Sequence, residues 1–165
     1  MAEPLSPNLD PNVVHNIVDE ILSEKIILFL GAGLSMGSGL PGWRELTHQL
    51  ANDIGCDSSL DPLTVAHQYE LARGRPALIE KVKSLTDTVG KHPSKIHELL
   101  PDLRVNTWIT TNYDDLLEAT LKQKCRPFEV ICRSCQIPTC DWRKTVLIKL
   151  HGDRNNPDLI VATEK

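Results

Sequence analysis

Apolar residues recur along this chain with two different periods, and the switches between them mark out its elements. Val14, Ile17, Val18, Ile21 and Leu22 fall three and four apart, the spacing of one helical face, and predict a helix from Asn12 to Ser23. Ile26 to Leu30 is an unbroken apolar run of strand length, read as a buried strand. Four helix-period segments follow. Trp43, Leu46, Leu50 and Ile54 define the first, entered through Pro41-Gly42 and closed by Gly55. Asp61-Pro62 opens the second, which runs to Arg73 and stops at Gly74, because proline suits a first helical position. Leu78, Val82, Leu85 and Val89 mark the third, ended by Gly90, and His92-Pro93 begins a short fourth that reaches Leu100.

The pattern then turns extended. Asn106 to Thr111 (NTWITT) is rich in β-branched and aromatic residues and predicts a second core strand. Asn112 to Gln123 predicts a helix, with Asp114 and Asp115 at its positive end. Pro127 to Cys132 and Val146 to Leu150 predict two more strands, and Leu159 to Val161 a fifth. Strand, block of helices, then strand-helix-strand-strand is the order of an α/β fold, a Rossmann-like parallel sheet with a helical insertion after the first strand. Residues 1–11 are expected to form a flexible arm and 12–165 a single domain. The chain stops at VATEK with no closing helix in view, so that domain is expected to be incomplete at its C-terminus.

Composition narrows the class. The chain has 165 residues, 41% hydrophobic and 24% charged, as in a globular domain with one core. A net charge of −4, a pI near 5.8 and 4% aromatics argue against a nucleic-acid-binding or anionic-membrane surface. The segment MAEPLSPNLDPN, acidic and proline-containing, reads as neither a secretory signal nor a transit peptide, and no apolar run has membrane-span length. A cytoplasmic location is the expectation.

Five cysteines are present, an odd number, which makes a disulfide framework unexpected. Cys125, Cys132, Cys135 and Cys140 cluster and include one C-x-x-C, whereas a structural zinc site ordinarily uses two such pairs. Strand-like alternation of Phe128, Val130 and Cys132 points inward, so these are read as small buried thiols and no metal is expected.

Candidate chemistry gathers where three strands end. The first empties into GAGLSMGSGLPGW (31–43), whose Gly31 and Gly33 leave room for close backbone approach and for angles closed to other residues. The dinucleotide fingerprint G-x-G-x-x-G does not fit, because Met36 stands at the third position and Gly37 comes one residue late. The acidic ribose ligand would have to be Asp53 or Asp57, and both follow helix rather than a second strand. The second strand ends in TTNYDD (110–115), which puts Asn112 and Asp114 at the carboxyl edge of the sheet, where open α/β folds bind ligands. The third ends in KLHGD (149–153), and His151 is the side-chain type best suited to proton exchange near neutral pH. Each has a plainer role: Asn112 or Asp114 as a helix cap, His151 and Asp153 as turn residues. The other histidines (His15, His48, His67, His92 and His97) fall in or beside helices and are read as surface or partly buried.

In this order the three motifs, GAGLSMGSGLPGW (31–43), ITTNYDDLLE (109–118) and IKLHGD (148–153), resemble the silent-information-regulator (sirtuin)-like NAD-binding family. The likeness is greatest to bacterial sirtuin-like domains of antiviral NAD-consuming proteins. It implies that Gly31, Ala32, Gly33 and Ser35 hold the NAD phosphates and that Asp114 lies at the nicotinamide end. It further implies that Asn112 is catalytic beside the nicotinamide ribose and that His151 is the general base. NAD would be the substrate, and a homo-oligomer or an attached sensor domain the partner. Three departures set the chain apart from protein-deacylating sirtuins: Gly42, Trp43 and Arg44 replace an Asp-Phe-Arg sequence, Thr111 and Tyr113 replace the Gln and Ile of T-Q-N-I-D, and the cysteines precede His151. The expected activity is therefore hydrolysis of NAD to ADP-ribose and nicotinamide, as the NAD-depleting effector of a defence system. An NAD-dependent protein deacylase and a non-catalytic ADP-ribose or NAD sensor are the alternatives; redox chemistry ranks last.

Overall fold

The computed structural model describes residues 10–23, 25–160 and 162. The expected arm lies outside these residues except for Asp10 and Pro11, which begin helix α1 (Pro11–Leu22); the Asp10 carboxylate accepts from the backbone N–H of Asn12 at 2.9 Å. Strand β1 (Leu28–Leu30) leads into a single turn, α2 (Gly33–Met36). The insertion comprises α3 (Trp43–Ile54), α4 (Pro62–Arg73), α5 (Arg75–Leu85) and α6 (Lys95–Leu99). Strand β2 (Thr107–Thr110), helix α7 (Leu116–Gln123), β3 (Phe128–Ile131) and β4 (Thr145–Lys149) complete the sheet, which is parallel throughout with order β1-β2-β4-β3.

Two apolar clusters support it. Leu46, Leu50, Val65, Leu78 and Val82 unite α3, α4 and α5, and Tyr113 and Ile160 from the strand-end loops seal that cluster. Each such side chain contributes roughly 1.5–3 kcal/mol over leaving it in water, so the insertion has a core of its own. The second cluster packs Trp108, Leu147, Leu117 and Leu121 between the sheet and α7. Trp108 is wholly buried, its indole N–H donates to the Val105 carbonyl at 2.9 Å, and the Arg126 guanidinium lies 5.8 Å from its ring centroid. That guanidinium also donates to the carbonyls of Leu103 and Val105 and to Thr145 Oγ1, fastening the amino-terminal ends of the strands.

Several expectations need correction. β1 is an edge strand, so Ile27 and Phe29 are more than half exposed rather than buried. α5 ends at Leu85; just beyond it Asp87 and Thr88 are bonded by Arg154, and Val89 projects into solvent. Helix α7 starts at Leu116, leaving Asn112 to Asp115 as a non-helical turn. No strand forms at 159–160: Pro157–Leu159 is a 3₁₀ turn, and Val161 lies outside the described residues. The cysteines are not buried thiols; Cys125 and Cys135 are exposed and Cys56, Cys132 and Cys140 half-buried.

Gly152 turns the chain just after β4, with φ +90°, and an added Cβ there would collide with the Leu159 carbonyl. A side chain at such an angle costs about 1–3 kcal/mol before the collision is counted. Gly152→Ala is therefore expected to lower unfolding stability by at least that much in a urea titration, with the damage centred on the loop that follows His151.

Candidate active site

The carboxyl ends of β1, β2 and β4 open onto a cleft of ≈ 860 Å³. Ser35, Thr111, Asn112, Asp114 and His151 supply its polar lining, with Ala32 beside them. Leu40, Pro41, Trp43, Leu46 and Leu63 from the insertion form the facing apolar wall. Residues 31 to 151 are thus gathered by the sheet and closed over by the helices.

Register explains the meeting. Leu30 pairs with Thr110, and Thr110 with Lys149, so the residues just beyond each strand emerge side by side. Thr110 Oγ1 donates to the Leu30 carbonyl at 2.8 Å and accepts from the Asn112 N–H at 3.0 Å, which bends the chain after β2. The Asn112 carboxamide then reaches back. Its Nδ2 donates to the Gly31 carbonyl at 3.2 Å and to Ser35 Oγ at 2.9 Å, and Ser35 Oγ donates in turn to Asp114 Oδ2 at 2.8 Å. Asp114 Oδ1 accepts from the Leu116 N–H at 3.1 Å, starting α7.

This chain fixes the amide's orientation, because a carbonyl can only accept and so must face the NH₂ side. Both amide hydrogens are used. Asn112 Oδ1 remains buried with no hydrogen-bond partner among the described residues. An unsatisfied buried oxygen costs about 1–3 kcal/mol, and it is the one side-chain acceptor of this cleft-lining residue left uncommitted among the described residues.

His151 sits at the rim, with its ring centroid 6.4 Å from that of Tyr113 and the planes tilted by 38°. Desolvation against the cleft holds its pKa below the ordinary value, so the imidazole is neutral at pH 7 and able to accept a proton. Burial pushes the Tyr113 hydroxyl up, partly opposed by Arg75, leaving a neutral phenol. Gly31 and Gly33 do not need glycine for their backbone angles, contrary to expectation, since neither has a positive φ. An added Cβ at either would meet no atom of the described residues within 4 Å, so their contribution is open space around the turn.

Of the residues predicted to act, Ala32, Ser35, Asn112, Asp114 and His151 all line the cleft, and Gly31 joins through its carbonyl. Asp53, which the sequence pattern argued against as a ribose ligand, is not among the cleft residues and pairs with Lys81 at 2.6 Å. Among the described residues no group of three His, Cys, Asp or Glu side chains could hold a metal ion. Two features were missed. His97 is fully buried rather than at the surface or partly buried: its Nδ1 accepts from the Ser94 N–H at 3.1 Å, and burial lowers its pKa, partly opposed by Asp114. Lys149 is fully buried beneath the turn, paired with Glu118 Oε1 at 2.9 Å. A lysine closing the apolar run VLIK was the available signal for it.

Residues 106–165 match the family model for a SIR2-like domain, in agreement with the sirtuin-like motifs. The chain is 32% identical over 151 residues to the NAD(+) hydrolase ThsA of Acinetobacter baumannii (strain 532279), covering 88% of this chain and 31% of that protein. It is 32% identical over 142 residues to the NAD(+) hydrolase ThsA of Enterococcus faecium, covering 82% and 29%. To the Defense-associated sirtuin 2 of Bacillus subtilis it is 27% identical over 135 residues, covering 78% and 13%. The chain thus spans less than a third of the length of these relatives. No helix among the described residues is long and apolar enough to cross a membrane.

Ser35 links the amide to the carboxylate, so Ser35→Ala strands a donor on Asn112 and an acceptor on Asp114. We expect a loss of about 1–3 kcal/mol in unfolding free energy. In a double-mutant cycle, Ser35→Ala and Asn112→Ala should be clearly non-additive; additive losses would mean that the two do not share one network.

Proposed function

We propose that this chain, which carries a SIR2-like domain over residues 106–165, is the NAD-binding and catalytic portion of an NAD glycohydrolase that depletes NAD in bacterial antiviral defence. The names of the relatives support the substrate and the setting. The observation that carries the chemical reading is the orphaned Asn112 Oδ1 in a wall shared with His151.

In the reaction, the bond between the nicotinamide nitrogen and ribose C1′ breaks, and nicotinamide departs with the bonding electron pair as a neutral molecule. No acid is needed on that side. Positive charge develops on the sugar, and the Asp114 carboxylate is the negative group nearest the amide network to oppose it. Water attacks C1′ while the neutral His151 imidazole takes its proton, and Asn112 Oδ1 accepts from the attacking water or from a ribose hydroxyl. Gly31, Ala32, Gly33 and Ser35 leave room for the diphosphate, and the apolar wall around Trp43 and Leu46 takes the planar base. A homo-oligomeric assembly, an attached sensor domain and a cytoplasmic setting belong to the same proposal.

The test is nicotinamide release from NAD by the purified full-length protein, without any acyl-lysine peptide. Asn112→Ala and His151→Ala should each lower kcat by about 10²–10⁴-fold. Because the folded His151 pKa is depressed, its base form is lost only at acidic pH. The kcat/KM profile should be level at pH 7 and fall with a midpoint below 6.5. Undiminished release by either variant, or turnover only when an acylated peptide is consumed, would overturn the assignment.

A further inference from the structure

Lys149 is the last residue of β4, and its side chain has 0% exposure, rare for a lysine unless it is paired. Its ammonium has three hydrogens to place. Nζ lies 2.7 Å from the Asp114 carbonyl, 2.9 Å from Glu118 Oε1 and 3.4 Å from Asp153 Oδ1, with the Tyr113 carbonyl at 3.5 Å. These partners come from separate pieces of chain. Asp114 follows Asn112 by two residues on the turn after β2; Asp153 follows His151 by two on the loop after β4; Glu118 belongs to α7. One buried ion therefore holds both strand-end loops from beneath. Two backbone bonds run alongside, from the Arg154 N–H to the Tyr113 carbonyl at 3.0 Å and from the Leu150 N–H to the Thr110 carbonyl at 2.9 Å.

Stability is a poor reason for such an arrangement. Replacing a buried ion pair by apolar residues of similar volume is often neutral or stabilising. Glu118 Oε2 is buried without a partner among the described residues, so the pair is not even fully satisfied. What the ammonium supplies, and an apolar side chain could not, is a fixed direction for the Asp114 carbonyl. Misplacement by about 1 Å can cost 10²-fold in rate. Burial alone would lower the Lys149 pKa, but Glu118 and Asp153 outweigh it and the net direction is upward, so the ion stays charged.

We propose that Lys149 is a positioning residue: by clamping the Asp114 carbonyl and Asp153 together it sets the separation of Asn112 from His151 across the cleft. The inference rests on the NAD-hydrolysing reading of that cleft. It assigns Lys149 no contact with substrate.

The test replaces the pair with apolar residues, Lys149→Met with Glu118→Leu, in the full-length protein. The double variant leaves Asp153 and the Asp114 carbonyl without the ammonium, so it should fold with a lowered Tm, keep KM within about threefold, and lose about 10²-fold in kcat. Amide hydrogen exchange at Arg154 should quicken at least about tenfold. A stable double variant with wild-type kcat and unchanged exchange overturns the proposal. So does a rise in KM at constant kcat, which would assign the clamp to binding. A double variant that fails to fold overturns it as well, since the pair would then be holding the core. If the wild type releases no nicotinamide, the NAD reading falls, while the exchange measurement still decides the clamp.

Discussion

The carboxamide of Asn112 reaches across from the end of β2 to the loop that follows β1, and the geometry of the cleft depends on that reach. Its two donors are committed to the Gly31 carbonyl and to Ser35 Oγ, and Ser35 passes the interaction on to Asp114. The amide can do this only because Leu30 and Thr110 are in register, and because Thr110 Oγ1 bonds both to the Leu30 carbonyl and to the N–H of Asn112. A slip of one residue would turn every side chain to the opposite face of the sheet, and Asn112 would leave the cleft. The same commitment leaves Oδ1 as the unpaired acceptor. Fold register and chemical role are thus one constraint.

Charge is arranged in layers around this amide. At the mouth, desolvation holds the His151 pKa below its ordinary value; on the wall, burial raises that of Tyr113. Beneath them the Lys149 ammonium sits between Glu118 and Asp153. The cleft's apolar residues, among them Trp43 and Leu46, rest on the core of α3 to α5, which Tyr113 and Ile160 complete. A second set of ties joins insertion to sheet: Arg154 pairs with Asp87 at 2.6 Å and donates to Thr88 Oγ1 at 2.7 Å, and Thr88 donates to Asp115 at 2.7 Å. The loop after His151 is therefore held from the helical side as well as from below.

Elements bounded by local chemistry were readable in the sequence. Gly55, in the left-handed region at φ +68°, closes α3 where a C-terminal glycine was read, and Asp61 accepts from the N–H groups of Leu63 and Thr64 to open α4. The three strand-end motifs were readable for the same reason, since each strand, turn and glycine is a short-range signal. What failed was whatever depends on distant partners. The apolar run at 26–30 does not say that β1 lies at the sheet edge, so Ile27 and Phe29 were misread as buried. The periodicity that includes Val89 does not reveal that Asp87 and Thr88, just past α5, are bonded by Arg154, 67 and 66 positions away. Asn112 was read into a helix because its local propensity cannot register a bond to Gly31, 81 positions away. The Lys149–Glu118 pair spans 31 positions and left only a charge at the end of an apolar strand as a clue.

The central claim is that the free oxygen of Asn112 and the imidazole of His151 address the same sugar. A crystal structure of the protein with ADP-ribose tests it most directly. The account predicts a hydroxyl of the nicotinamide-side ribose within about 2.6–3.2 Å of Asn112 Oδ1, with the His151 ring over the same ribose and the diphosphate against residues 31–35. A ribose bound away from either side chain, with Oδ1 still unpaired, would contradict it.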